Sequence, residues 1–230
     1  MNSDLICVAS RPTLGKATFA LNIATNVAKS EIPVLIVSLD INKECVKNRI
    51  INIESATSID YSVTIKNLKL LEQNIEISDK NLTIEDIEAV CRKSKLNKNI
   101  GLVIIDYLQL IKLDNQQVSI EQKIEQISKR LKELAKRLNI PVIVLSQISK
   151  DVDQRKDHTP TLEDFKMSSS IINYADKIFL IYRDDYYNKN SEYKDIVKVI
   201  IAKNNCGETG AEELLDVRTK YCNLVRYLEQ

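Results

Sequence analysis

Three features of this 230-residue sequence predict an α/β fold with a central, mainly parallel β-sheet flanked by helices. Several short runs are apolar throughout rather than alternating, as strands are when helices cover both faces of their sheet. Between them lie segments whose apolar residues recur every three or four positions, the period of a helix packed on one side. The first apolar run leads directly into a turn containing Gly15-Lys16 and then a helical pattern, a strand, loop and helix in succession.

The elements follow in chain order. DLICVAS (4–10) is the first strand, and ATFALNIATNVAKS places Phe19, Ile23 and Val27 at four-residue spacing for a helix. VLIVSLD (34–40) and GLVIIDYLQL (101–110) supply the next two strands. The polar segment of about sixty residues between them reads as a connection with one clear helix, LTIEDIEAVCRK, which Thr83 and Asp86 would cap. SIEQKIEQISKRLKELAKRLN carries Ile120, Ile124, Ile127, Leu131, Leu134 and Leu138 on one stripe. That stripe suits a helix lying on a sheet, with a coiled coil as the alternative. IPVIVLSQ (140–147) is a fourth buried strand. DVDQRKDHTPTLEDFKMSSS reads as a surface loop with a short helix. ADKIFLIYR and IVKVIIAKN read as further strands, and NNCGETG as the turn before a final strand pair. The organisation expected is one domain over residues 1–230.

Composition narrows the class without naming a partner. The formal net charge of +1 creates no global basic field, although a local basic surface can coexist with it. Five cysteines, widely spaced and without a CxxC pair, argue against a disulfide framework or a zinc knuckle. Reduced thiols fit a cytoplasmic setting. No apolar run approaches the roughly 18 residues of a membrane span, and no basic leader precedes an apolar signal region, so no membrane partner is expected.

The chemistry concentrates at SRPTLGKATF. A phosphate loop of pattern G-x-x-x-x-G-K-S/T wraps phosphates in backbone N–H groups, reaches them with Lys, and offers a hydroxyl to Mg²⁺. Gly15 and Lys16 match, whereas Ser10 stands at the first Gly and Ala17 at the hydroxyl position. The candidate nucleotide-binding residues are therefore Ser10, Arg11, Pro12, Thr13, Leu14, Gly15, Lys16, Ala17 and Thr18. Ala17 cannot coordinate Mg²⁺, and Thr18 points about 100° around the helix axis from it. Asp106, closing LVIID, is the candidate acid for Mg²⁺; otherwise it caps the turn that follows. Asp40 could orient water as a general base, and Gln147 could hydrogen-bond to water or a terminal phosphate. Lys16 and three polar residues at the ends of apolar strands would converge at one sheet edge, where open α/β sheets hold ligands.

In family order, SRPTLGKATFALNIA, VLIVSLD, LVIIDYLQL, LKELAKRLNIPVIVLSQIS, QRKDHTPTLEDF, ADKIFLIYRDDYY and IAKNNCGETG resemble the C-terminal motor domain of the bacterial replicative DNA helicase family, DnaB. The resemblance implies a RecA-like P-loop NTPase core, ATP and Mg²⁺ as cofactors, and single-stranded DNA as partner. It also implies homo-oligomers, hexameric rings in full-length members, with a monomer as the alternative for this chain. Under it, Lys16 is the phosphate-binding lysine, Asp106 the acid supporting Mg²⁺ and Gln147 the sensor of the terminal phosphate. Asp40 stands where the family has the catalytic Glu of SLEM, one methylene shorter. Arg49 matches an arginine near the base, or is an ordinary helix-surface arginine. Lys203 retains a lysine that reaches the neighbouring subunit's nucleotide, while Asn205 occupies the arginine finger's place. FKMSSS falls at a DNA-facing loop, with Lys166, Ser168 and Ser169 as candidate backbone contacts; a plain solvated loop is the other reading. With the sequence beginning just before the first motor strand, the expectation is that the family's N-terminal helical domain and linker are absent. His158 and the tyrosines of YRDDYY read as surface and packing residues.

Two functions follow as expectations. One is an ATP-dependent helicase motor with weak hydrolysis, resting on Lys16, Asp40, Asp106, Gln147 and Lys203. The other is a non-catalytic nucleotide- or DNA-binding assembly module, suggested by Ala17, Asp40 and Asn205 together.

Overall fold

The computed structural model describes residues 3–55, 61–80, 82–113, 118–218 and 223–227. Its strands are β1 (Leu5–Ser10), β2 (Val34–Ser38), β3 (Ile75–Ser78), β4 (Leu102–Asp106), β5 (Val142–Gln147), β6 (Lys177–Tyr182), β7 (Ile196–Asn204), β8 (Glu212–Arg218) and β9 (Asn223–Arg226). The helices are α1 (Lys16–Lys29), α2 (Lys43–Ser55), α3 (Tyr61–Asn74), α4 (Ile84–Lys98), α5 (Ile120–Leu138), α6 (Ile171–Tyr174) and α7 (Asp184–Tyr187). Among the described residues, these strands form one nine-stranded sheet in the order β3-β2-β4-β5-β1-β6-β7-β8-β9. The first six run parallel, and β7, β8 and β9 add antiparallel pairs.

The continuous apolar runs are explained by what covers the sheet. Successive side chains of a strand point to opposite faces. Cys7, Leu35, Val103 and Val144 lie in one buried cluster with α4 and α5, while Val8, Ile36, Ile104 and Ile143 lie in a second with α1 and α2. Neither parity can therefore be polar. Each fully buried Leu or Ile contributes on the order of 2 kcal/mol, so both faces are needed to hold the parallel strands in place.

Ile124, Ile127, Leu131 and Leu134 of α5 are all buried in the first cluster, so the stripe is spent on the sheet rather than on a coiled coil. Capping boxes start both helices on that face, Thr83 with Asp86 for α4 and Ser119 with Gln122 for α5. The long 40–101 connection holds more than the sequence suggested. Besides α4 it contains α2, α3 and the edge strand β3. Of these, α4 carries a capping box, whereas α2 starts from Asn42 alone, whose Oδ1 accepts from the Cys45 N–H at 2.9 Å, and β3 is just four residues of half-buried IEIS, too short to show a strand period. The final strand pair is present as β8 and β9; the turn between them lies outside the described residues.

Candidate nucleotide site at the strand ends

The loop after β1 is shaped by its backbone. Gly15 has φ +106°, a left-handed conformation that side chains disfavour, and it is the N-cap of α1. Thr13 is also left-handed at φ +68°. Leu14 between them is buried and anchors the loop, and Ser10, also buried, donates its hydroxyl to the Arg11 carbonyl at 2.6 Å. Helix α1 runs for 14 residues with no acid in its first turn, so the positive end of its dipole faces the loop uncompensated. Pro12 and Thr18 flank this geometry; the Thr13 hydroxyl donates to the Pro12 carbonyl, and the Thr18 carbonyl accepts from Asn22.

Lys16 is the first residue of α1, and its side chain turns toward the end of β4. Its Nζ lies 3.9 Å from Asp106 Oδ1 and 5.1 Å from the centre of the Tyr107 ring. Asp106 Oδ1 is buried and accepts no hydrogen bond from the described residues. Burial pushes the Asp106 carboxyl above the usual carboxylate range; Lys16 and Arg49 oppose this, and Asp40 adds to it. A buried, negatively charged oxygen short of donors is the chemistry that a hard cation completes. Asp106 thus fits a Mg²⁺ site, whereas Ala17 brings no oxygen to it. A cavity of about 10 Å³ is lined by Ala17, Ser38, Arg49 and Asp106 among others.

Strand register gathers the remaining residues. Ser10 pairs with Gln147 across β1 and β5, and Ser38 pairs with Asp106 across β2 and β4. These four strand ends form one edge. Asp40 lies two residues past β2, exposed, and its charge is felt by both Asp106 and Tyr107. Tyr107 holds a hydrogen bond with Gln147; burial, Asp40 and Asp106 raise its hydroxyl above the ordinary range. Arg49 sits exposed on α2 over the same cavity. The edge therefore brings together Lys16, Asp40, Arg49, Asp106 and Gln147.

Two groups of candidates lie elsewhere. Lys203 pairs in register with Ile178, near the start of β6, at the sheet edge opposite the phosphate loop. Its amino group donates to the carbonyls of Ile172 and Ala175 at 2.7 and 2.8 Å, closing the end of α6. It does not meet this chain's own Lys16. Of the FKMSSS residues, Lys166 is exposed and ion-paired with Asp151, Ser169 is exposed, and Ser168 is buried, accepting a hydrogen bond from Gln109 at 2.9 Å.

Sequence reasoning overlooked three residues at this edge. Tyr107 and Gln109 stand within DYLQL, where the acid drew the attention. Asp153 binds the Arg11 guanidinium through Nε and Nη2, at 2.8 Å for the latter, and accepts from the Tyr187 hydroxyl at 2.8 Å. Tyr187 in turn stacks on His158, ring centres 4.2 Å apart. A separation of 142 positions hid the Arg11 pair from any local pattern.

The chain matches the family of the DnaB-like helicase C terminal domain over residues 1–221. It is 39% identical over 245 aligned residues to the replicative DNA helicase DnaB of Geobacillus stearothermophilus, covering 99% of this chain and 54% of that one. To the replicative DNA helicase DnaC of Bacillus subtilis it is also 39% identical, covering 97% of this chain and 53% of the relative. The chain thus spans about half the length of these curated relatives. A solved ATPase domain superposes with a TM-score of 0.91 at 34% identity, covering 99% of this chain and 86% of that domain. The RecA-like fold expected from the sequence is the one found. With a matching sequence along nearly its whole length and the same fold, this chain belongs to the DnaB-like helicase C-terminal domain family.

Proposed function

We propose that this chain is a motor domain that binds ATP with Mg²⁺ at the β1–α1 loop and single-stranded DNA through the segment around Lys166, with weak hydrolysis on its own. The observation that carries the reading is the meeting of Lys16 with the donor-poor carboxylate of Asp106 at the edge where Gln147 also ends its strand. Lys16, the loop N–H groups and the start of α1 would neutralise phosphate charge. Asp106 would hold Mg²⁺, which when bound supplies charge neutralisation between phosphate oxygens. Gln147 would orient water or a terminal oxygen, and Asp40 would accept a proton from water through a shorter arm than Glu provides. Arg49 would flank the base. Lys203 would serve a neighbouring copy in a ring, the assembly that the family resemblance implies, in a cytoplasmic setting; there Asn205 would bring no positive charge to the transition state.

A second reading, a non-catalytic module that uses nucleotide or DNA to control assembly, is favoured by two observations. Ala17 offers no ligand oxygen beside Asp106, and Lys203 is already engaged by the Ile172 and Ala175 carbonyls. ATP turnover with and without single-stranded DNA, against Lys16→Ala, separates the readings. Turnover above the variant's rate supports the motor. Equal rates in all samples, with nucleotide still bound, leave the assembly module.

A further inference from the structure

Gln109 occupies the junction between the nucleotide edge and the segment that bears Lys166. It follows β4 in the 3-10 turn Leu108–Leu110, and its amide is used on both sides. Nε2 donates to Ser146 Oγ at 3.0 Å, to the Gln147 carbonyl at 3.1 Å and to Ser168 Oγ at 2.9 Å. Its Oε1 faces the Gln147 N–H at 3.3 Å. One side chain thus grips the backbone of Gln147 and the hydroxyl of Ser168, residues otherwise on separate elements. With both of its polar atoms engaged, this half-buried amide has few alternative arrangements, so movement of one partner is passed to the other.

The segment on the far side changes backbone direction at one point. The 3-10 stretch Leu162–Ser168 is broken at Lys166, whose φ of 37° and ψ of −108° lie outside helical geometry. A non-glycine residue there is strained, and such strain persists only where neighbours hold it. Phe165 before the break is buried in the core, and Ser168 after it is held by Gln109. Exposed Lys166 and Met167 lie between these anchors.

We infer that Gln109 is a positioning residue which couples Gln147 at the nucleotide edge to the Lys166–Ser168 segment, so that nucleotide and single-stranded DNA alter each other's affinity through it. The inference rests on the proposed binding of both ligands. Coupling of this kind is reciprocal, so it can be read from either ligand.

The test measures the affinity of a fluorescent, non-hydrolysable ATP analogue with Mg²⁺, in the absence of DNA and at saturating oligothymidine, for the wild type, Gln109→Ala and Gln109→Glu. The expected wild-type ratio of the two affinities is about threefold or more, within the usual range of coupling. Gln109→Ala should bring the ratio to about one while each ligand still binds. In Gln109→Glu the ionised side chain cannot donate to Ser168, whereas the protonated acid can. Its ratio should therefore recover toward wild type as pH falls, and that of Gln109→Ala should not. A wild-type ratio of one, or an unchanged ratio in Gln109→Ala, overturns the inference while leaving the binding reading intact. Failure of the wild type to bind either ligand overturns the proposed function and this inference with it.

Discussion

Lys16 Nζ stands 3.9 Å from Asp106 Oδ1, close enough for attraction but too far for a hydrogen bond, so the buried carboxylate oxygen stays short of a donor. Burial of that charge opposes stability, a cost that the proposed Mg²⁺ would relieve. Asp106→Asn removes a charge that burial disfavours. The thermal midpoint of the variant should be unchanged or raised, while Mg²⁺-dependent nucleotide affinity should fall by about tenfold or more, roughly the 1.4 kcal/mol that a factor of ten represents. Calorimetry on variant and wild type with the same ATP analogue reads both effects. A lowered midpoint with unchanged affinity would show that Asp106 is a structural acid only.

The missing hydroxyl can be put back. Ala17 borders the same small cavity as Asp106 and Ser38. Ala17→Thr should raise Mg²⁺-dependent ATP turnover by about tenfold or more if the absent ligand limits hydrolysis. Steady-state rates at several Mg²⁺ concentrations check this, and the variant should also need less Mg²⁺ for half its maximal rate.

Arg11 is diverted from the loop by Asp153. The Asp153 side chain is 38% exposed and solvent screens the pair, so its loss should alter stability by about 1 kcal/mol or less. Asp153→Ala releases the guanidinium beside the phosphate loop, and nucleotide affinity should rise severalfold with a steeper dependence on salt. Titration at two salt concentrations distinguishes this from a mere loss of packing around Tyr187. Unchanged affinity at both would place Arg11 outside the binding surface.

Asp176 ties the start of β1 to α5, accepting from the Leu5 N–H at 2.7 Å and from Lys132 Nζ at 2.5 Å. Burial is the largest influence on its carboxyl and acts upward, but the hydrogen bonds and the Lys132 charge together hold it below the usual range. Its stabilising contribution is therefore fully present above the unfolded value of about 3.9 and is lost as pH falls through the lower folded value. Asp176→Asn should cost about 1–3 kcal/mol at neutral pH, and its deficit should shrink in acid as the wild type loses the same charge. Urea unfolding between pH 7 and pH 3 measures both.

Local patterns carried much of the architecture. Runs such as VLIVS and LVIID reveal both faces of a covered sheet, because both parities are apolar until the last residue, Ser38 or Asp106, at the strand end. The stripe of α5 is equally plain, since 19 residues give the helical period room to repeat. Strand β3 has only four residues, and α2 starts from Asn42, which takes the Cys45 N–H but has no acid or amide three positions on to mark a capping box, so these elements remained hidden in a polar connection. At the site, Lys16, Asp106 and Gln147 were legible because each ends or follows an apolar strand.

By itself the sequence determined a parallel α/β core, a phosphate loop lacking its hydroxyl, and the family pattern that runs along the chain. Tertiary structure decided which of those polar residues meet. Parallel register set Ser10 beside Gln147 and Ser38 beside Asp106, and only folding brought Arg11 to Asp153 and Ser168 to Gln109. The physical reason is that secondary-structure signals are periodic over a few residues, whereas hydrogen bonds and charges act over a few ångströms between segments that the chain separates by 59 or 142 positions.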